Sequence, residues 1–220
     1  KMEYSGKIEI IIGPMYSGKT TELLRRSRRY FYSGKKCLLI KHSDDTRYDN
    51  NNIVTHDTVK CSAIKTDLLS KIENIRDFLT VDVICIDEIQ FYPDATEMCD
   101  KWANMGKIII AAGLISNFMR EPFEQVSTLL AKADDITHLK AVCTNTGLDA
   151  PFTRRISKEK QIKVIGGCEK YIAASRKAFF NTDIKTDATF NAKFESVMLN
   201  KPYHIILGRG QKCNRMPIAT

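Results

Sequence analysis

The sequence predicts an α/β fold, a mostly parallel sheet flanked by helices with a small β-rich lobe appended. Three observations carry that reading. Apolar, β-prone runs of four to six residues recur through the first two-thirds of the chain, near-continuous in the way of strands covered on both faces. Segments with helical spacing alternate with them, which implies right-handed crossovers between parallel strands. Between the first such run and the first helix stands Gly13-Pro-Met-Tyr-Ser-Gly-Lys-Thr20, a full match to G-x-x-x-x-G-K-[ST] and the mark of a P-loop-type sheet.

Taken in order, strands are expected at 7–12, 36–40, 81–86 and 107–112, and helices at 19–33, 67–79 and 93–104. The second helix is introduced by Thr66-Asp67 and carries Leu68, Leu69, Ile72, Ile75 and Leu79 at helical spacing. The third opens at Pro93 and stops before Gly106, following the tendency of helices to begin with proline and end at glycine. From about residue 137 short β-like pieces (137–142, 152–156, 161–165) replace the long alternation, and a helix-like segment follows at 169–180. The division expected is a nucleotide-binding body over 1–136, a small lobe over 137–180 and a partly ordered tail over 181–220.

The motif dictates chemistry. Its glycines let successive backbone N–H groups turn toward phosphate oxygens, and the helix N-terminus adds its positive dipole end. Lys19 then reaches the β- and γ-phosphates, while the Thr20 hydroxyl suits Mg²⁺. A second signal is Asp87-Glu88 at the end of the run 81–86. An acid at the carboxyl edge of such a strand is a metal anchor beside the phosphates. Glu88 next to it would activate water in an ATPase, or accept the proton of an acceptor hydroxyl in a kinase. Asp87-Glu-Ile-Gln90 also matches the D-E-x-Q string of helicases, but 220 residues do not supply two such lobes.

Bulk composition narrows the class without choosing the reaction. With 43% hydrophobic and 27% charged residues the chain reads as an ordinary globule. No run approaches the ~20 apolar residues of a membrane span, and no signal-peptide core is evident at the start, so a cytoplasmic or nuclear protein is expected. A net charge of +8 fits polyphosphate substrates as well as nucleic acid. The basic cluster Arg25-Arg26-Ser-Arg28-Arg29 spreads around its helix rather than along one stripe, so a solvated or intersubunit face competes with a nucleic-acid footprint. Seven scattered cysteines with no C-x-x-C pair indicate reduced thiols.

Further strings make the choice. The run 13–26 resembles the phosphate loop and first helix of the type II thymidine kinases, the cellular and poxviral class. The resemblance continues in Asp45-Thr-Arg-Tyr48, Thr55-His-Asp57, Asp87-Glu-Ile-Gln-Phe-Tyr-Pro-Asp94, Phe118-Met-Arg-Glu-Pro-Phe123 and Val164-Ile-Gly-Gly-x-x-x-Tyr171, in register over about residues 6–180. It implies an ATP-dependent kinase that phosphorylates the 5′-hydroxyl of thymidine, with deoxyuridine as a further acceptor. Glu88 matches the general base, Lys19 the lysine that neutralises the transferring group, and Arg47 an arginine near the phosphates held by Asp45. Gly13, Pro14, Met15, Tyr16, Ser17, Gly18, Lys19, Thr20 and Thr21, with Asp87 and Gln90, match nucleotide-binding positions, Thr20 and Asp87 being those for Mg²⁺. Met15, Phe91, Leu114, Phe118, Phe123, Thr153 and Tyr171 match an apolar pocket for the nucleoside base. The loop 162–171 resembles the family's lasso, in which Ile162, Val164, Ile165, Gly166 and Gly167 lie along the pyrimidine edge and Arg155 supports the loop. His56 reads as a structural histidine. A homotetramer and feedback inhibition by dTTP are also implied, with no nucleic acid or membrane partner.

The chain departs from the family pattern in the lobe and near the catalytic acid. A family zinc ion is held by two C-x-x-C pairs; here those positions read Cys143-Thr-Asn-Thr146 and Ser175-Arg-Lys-Ala178. One thiolate cannot make a four-coordinate N/S site, and Cys168 sits in the lasso, so no structural zinc is expected. Ile89 stands where glycine is usual after Asp-Glu, and Ile115 where an acid is usual. These changes, with the +8 charge, keep two other readings in view: a nucleic-acid-stimulated ATPase, and a catalytically weak nucleotide-binding homologue.

Overall fold

The computed structural model describes residues 6–44, 63–156 and 170–181, all within a compact unit spanning Lys1–Lys185. Six strands make the main sheet: β1 (Lys7–Ile12), β2 (Cys37–His42), β3 (Ala63–Thr66), β4 (Val83–Ile86), β5 (Ile108–Gly113) and β6 (Asp135–His138). Their spatial order is β3-β2-β4-β5-β1-β6, with every neighbouring pair parallel. The expected parallel α/β architecture is borne out, and the four strands read from the sequence fall within two residues of their expected ends.

The near-continuous apolar strands have a simple cause: both faces of the sheet are covered. Ile8, Ile10, Ile12, Ile84, Ile86 and Ile109 point to one face, where they meet Met98 and Trp102 of α2 (Ala95–Asn104) and Val126 and Leu129 of α3 (Glu124–Leu130). The alternate residues Ile11, Leu39, Cys85 and Ile110 point to the other, against Leu23 of α1 (Lys19–Tyr32). With a period of two and both sides dry, every position in the strand must be apolar. Polar residues do occur in the buried strands, and the buried charged one in β1 is Glu9, held by Lys7 at 2.6 Å, Arg26 at 2.8 Å and the Tyr30 hydroxyl at 2.9 Å. Burial pushes its carboxyl pKa up, but these hydrogen bonds together outweigh that and hold it below the usual carboxylate range. Arg26 also reaches Glu22, Asp135 and Thr137, and Arg25 pairs with Glu22. The front of the basic cluster is therefore used to bind α1 to β1 and β6.

Two helical expectations fail. The stretch 67–79 forms two 3-10 turns, Leu69–Asn74 and Phe78–Thr80, separated by an extended Ile75. Contacts from distant residues hold both ends of the stretch. Asp94 accepts from the N–H groups of Leu69 at 3.1 Å and Ser70 at 2.8 Å. The Lys107 ammonium donates to the carbonyls of Phe78 at 2.9 Å and Val81 at 2.7 Å, and Trp102 Nε1 donates to Glu73 at 2.9 Å. Leu79, counted in the apolar stripe, ends up 80% exposed. The stretch 169–180 splits as well: Tyr171–Ala174 is a strand and only Arg176–Phe180 is helical.

The small lobe contains two antiparallel pairs, β7 (Ala141–Val142) with β8 (Asp149–Ala150) and β9 (Phe152–Arg155) with β10 (Tyr171–Ala174), followed by α4 (Arg176–Phe180). The main sheet itself runs on through His138, where β6 pairs with β1. The expected strand at 161–165 and, beyond Asn181, the expected tail lie outside the described residues.

Candidate active site

The sheet order places the carboxyl ends of β2, β4, β5 and β1 in one row, and the functional side chains emerge there, as in open parallel sheets generally. The phosphate loop leaves β1 at Gly13. A Cβ at that position would stand 2.5 Å from the Leu139 carbonyl and 2.6 Å from Ser17 Oγ, so only glycine fits. Gly18, immediately before α1, adopts the left-handed region with φ 83° and turns the chain into the helix. The Pro14 carbonyl accepts from the Ser17 hydroxyl at 2.9 Å and from the Lys19 ammonium at 2.7 Å. The lysine thus bends back along the loop, above the helix N-terminus where phosphate charge is favoured. Thr21 is exposed in the first turn.

On the far wall, Asp87 follows β4 and is 6% exposed. Its carboxylate accepts from the Thr20 hydroxyl at 3.3 and 3.1 Å, 67 positions away. A hydroxyl and a carboxylate brought together in this way form a hard-oxygen donor pair, the chemistry that suits Mg²⁺. Glu88 comes next, in the left-handed region with φ 54° and ψ 47°, a conformation that costs a non-glycine residue about 1–2 kcal/mol. Its side chain is fixed by Gln90, whose Nε2 donates to Glu88 Oε2 at 2.6 Å while its Oε1 accepts from the Leu114 N–H at 3.0 Å. Gln90, read from the sequence only as a nucleotide contact, thereby ties the acid to the end of β5.

The departures noted near this acid are resolved by the same geometry. The positive φ falls on Glu88 and not on Ile89, so a β-branched residue is tolerated there. Ile89 is fully buried in the main core and packs against Gly113, where an added Cβ would stand 2.6 Å from its Cγ2. Ile115 is partly buried against the same core.

The residues matched to the nucleoside pocket divide into groups. Phe91 lies 5.5 Å, centroid to centroid, from His42, a buried histidine at the end of β2 that also meets Tyr92 at 5.2 Å. Its Nδ1 accepts from the Asp44 N–H at 3.2 Å. The Arg155 guanidinium stands 3.7 Å over the Phe118 ring and donates to the Tyr171 hydroxyl at 2.6 Å. Thr153 and Tyr171 both touch the phosphate loop: Met15 N–H donates to Thr153 Oγ1 at 3.0 Å, and the Tyr16 hydroxyl donates to the Tyr171 carbonyl at 3.2 Å. Phe123 packs against the main core, and its N–H donates to the Ile115 carbonyl at 3.1 Å. Asp45, Arg47, His56, Ile162, Val164, Ile165, Gly166, Gly167 and Cys168 lie outside the described residues. Sequence reasoning passed over His42; its place at the carboxyl end of a buried strand was the available signal.

Comparison with known proteins bears directly on this arrangement. A sequence model of the thymidine kinase family matches residues 6–179. The chain belongs to the thymidine kinase family. The thymidine kinase of Myxoma virus (strain Lausanne) is 42% identical over 177 residues, covering 80% of this chain and 98% of its own. Thymidine kinase 1 of Dictyostelium discoideum is 44% identical over 186 residues, covering 82% and 80% respectively. The cytosolic thymidine kinase of Homo sapiens is 42% identical over 175 residues, covering 80% and 74%.

Within that family, the positions matched to the zinc ligands converge here but carry the wrong chemistry. Cys143 and Ala178 are buried in one small cluster with Ala141, Ala150, Ala173 and Ala174. The Thr146 hydroxyl donates to Ser175 Oγ at 3.1 Å, and Ser175 Oγ also accepts from the Ala178 N–H at 3.3 Å as the cap of α4. Burial pushes the Cys143 thiol up, but hydrogen bonds from the Ser175 and Asn145 backbone and from the Thr146 and Ser175 hydroxyls pull it down to about 7. One thiolate beside two hydroxyls that bond to each other and a methyl group does not fit tetrahedral zinc. Among the described residues no three His, Cys, Asp or Glu side chains stand together as a ligand set.

Proposed function

We propose that this chain is a thymidine kinase that transfers the γ-phosphoryl group of ATP to the 5′-hydroxyl of thymidine, with deoxyuridine as a further acceptor. The observation that carries this is Glu88, held in a left-handed turn by Gln90 directly beside the Thr20–Asp87 pair at the mouth of the phosphate loop. An acid fixed in a strained conformation next to the phosphates is placed to take a proton from an acceptor hydroxyl. The 5′-oxygen gives its proton to the Glu88 carboxylate as it attacks the γ-phosphorus, and the bond to the β–γ bridging oxygen breaks with its electron pair leaving on ADP. Lys19 swings from the Pro14 carbonyl to the β- and γ-phosphates and offsets their charge. Thr20 and Asp87 would hold Mg²⁺, which neutralises phosphate charge when bound. Positioning and charge compensation supply most of the rate.

The resemblance of the remaining matched positions supports the rest of this reading. On that resemblance we assign Arg47 and Asp45 to the phosphate end and Ile162, Val164, Ile165, Gly166 and Gly167 to recognition of the pyrimidine. The active protein is a cytoplasmic homotetramer inhibited by dTTP, with neither nucleic acid nor membrane as partner. Among the described residues no helix is long and apolar enough to cross a membrane.

The decisive experiment incubates radiolabelled thymidine with MgATP and compares the wild type with Glu88→Gln. Thymidine monophosphate forms in the wild type, and kcat falls about 10²- to 10⁴-fold in the variant. A wild type that leaves thymidine untouched, or releases phosphate only when DNA is added, defeats the proposal.

A further inference from the structure

We propose that the Tyr16 hydroxyl is a positioning group that clasps the phosphate loop to the β9–β10 ribbon, so that filling the phosphate side changes the affinity of the nucleoside side. The inference deepens the two-substrate reading above and rests on it for the identity of the second ligand.

The phosphate-loop motif accepts any residue at position 16, so the chemistry of phosphate binding asks nothing of a phenol there. The residue is nevertheless held in a specific way. Its backbone is left-handed with φ 65°, and its side chain stands 45% exposed at the tip of the loop. The hydroxyl still reaches across 155 positions to donate to the Tyr171 carbonyl at 3.2 Å. The preceding residue makes a parallel contact, Met15 N–H to Thr153 Oγ1 at 3.0 Å. Thr153 belongs to β9 and Tyr171 to β10, and these strands pair antiparallel with Ala173 opposite Thr153 and Arg155 opposite Tyr171. Two consecutive loop residues therefore grip both strands of one ribbon.

The grip extends further. The Tyr171 hydroxyl accepts from Arg155 Nη2 at 2.6 Å, and the same guanidinium lies 3.7 Å over Phe118. A continuous set of contacts runs from the loop that must wrap the triphosphate, through Tyr171, to an aromatic residue of the nucleoside side. Wrapping phosphate fixes the backbone of Tyr16, which makes the β10 end of the clasp harder to open. By linkage, a ligand that orders β10 must tighten triphosphate binding by the same factor. One net hydrogen bond sets the scale of that factor at about two- to tenfold.

Tyr16→Phe removes only the hydroxyl and tests this directly. Two measurements are made on wild type and variant: amide hydrogen exchange over Tyr171–Ala174 with and without a non-hydrolysable ATP analogue, and the affinity for that analogue with and without saturating thymidine. In the wild type the analogue alone slows exchange in β10, and thymidine tightens analogue binding. In Tyr16→Phe the exchange response is lost and the thymidine effect moves about two- to tenfold closer to none. A simple loss of stability would lower the melting temperature without separating the two affinities. The inference is overturned if the variant keeps the wild-type exchange response and thymidine effect, or if the wild type has no exchange response. The exchange measurement needs no turnover, so it decides the clasp even where a failed thymidine assay would sink the kinase reading.

Discussion

The α/β body and the small lobe are stabilised in opposite ways. In the body, Trp102, Tyr92, Leu23 and a set of isoleucines are fully buried on two faces of one sheet. In the lobe, the buried cluster consists of five alanines and Cys143, with Phe179 partly covering it. A methyl group buries little area, and at roughly 25 cal/mol per Å² such a core contributes little. The lobe relies on polar and cation–π contacts instead. Arg154 donates to the Ala178 carbonyl at 2.7 Å and the Asn181 carbonyl at 3.1 Å. Arg120 lies 4.5 Å over Phe180, and Arg176 lies 5.0 Å over Phe152. Small lobes of this size commonly lean on a metal or a disulfide; here a hydroxyl–hydroxyl contact and a hydrogen-bonded thiol occupy that place. A large core tolerates a change in one polar contact, whereas a core of methyl groups does not.

The largest test of this contrast is in the body. Trp102→Ala removes a fully buried indole together with its hydrogen bond to Glu73, and should cost about 3–5 kcal/mol of global stability in urea unfolding. A loss below about 1 kcal/mol would mean that the body does not depend on its large core.

A smaller, pH-dependent effect is expected in the lobe. Cys143 has its thiol pulled from the usual 9.0 down to about 7 in the folded chain. An acidic group lowered in this way stabilises the fold fully above its unfolded value, and that contribution disappears as pH falls through the folded value. The advantage of wild type over Cys143→Ala, read as amide protection in β10 and α4, should therefore shrink from pH 9 to pH 6. Its upper limit is about 2–3 kcal/mol. An advantage that stays constant across that range would show that the thiol acts only by packing.

The smallest expected effect is that of metal removal. Protein purified without chelator should contain no stoichiometric zinc, and a strong chelator should leave its melting temperature unchanged. One zinc per chain by elemental analysis would reverse the comparison, with the lobe then held by a metal and Cys168 as a candidate second thiolate.

The legibility of the two regions in the sequence follows the same division. β1, β2, β4 and β5 were readable because burial on both faces writes itself as an uninterrupted apolar run, and the phosphate loop because its glycines are sterically required. The 67–79 stretch misled because its helical spacing of leucines and isoleucines is genuine. Asp94 and Lys107, distant in sequence, nevertheless hold its two ends, and the chain between them makes 3-10 turns around an extended Ile75. β3 and β10 were obscure for the opposite reason: a strand on the sheet edge or in an alanine core buries too little to impose a pattern. For the candidate site, Lys19, Thr20, Asp87 and Glu88 could be named from motif and resemblance, but not the contacts that hold them.

The sequence by itself determined the parallel α/β body, the phosphate loop and the acids at the end of β4, because each is encoded within a few consecutive residues. Only the tertiary structure decided that Glu88 is left-handed and held by Gln90, that Thr20 meets Asp87, and that Tyr16 reaches Tyr171. Those contacts join groups that are not neighbours in the chain, or fix a dihedral angle that no local preference favours. They exist because the sheet order brings separate carboxyl ends together and because the surrounding core outweighs their local cost.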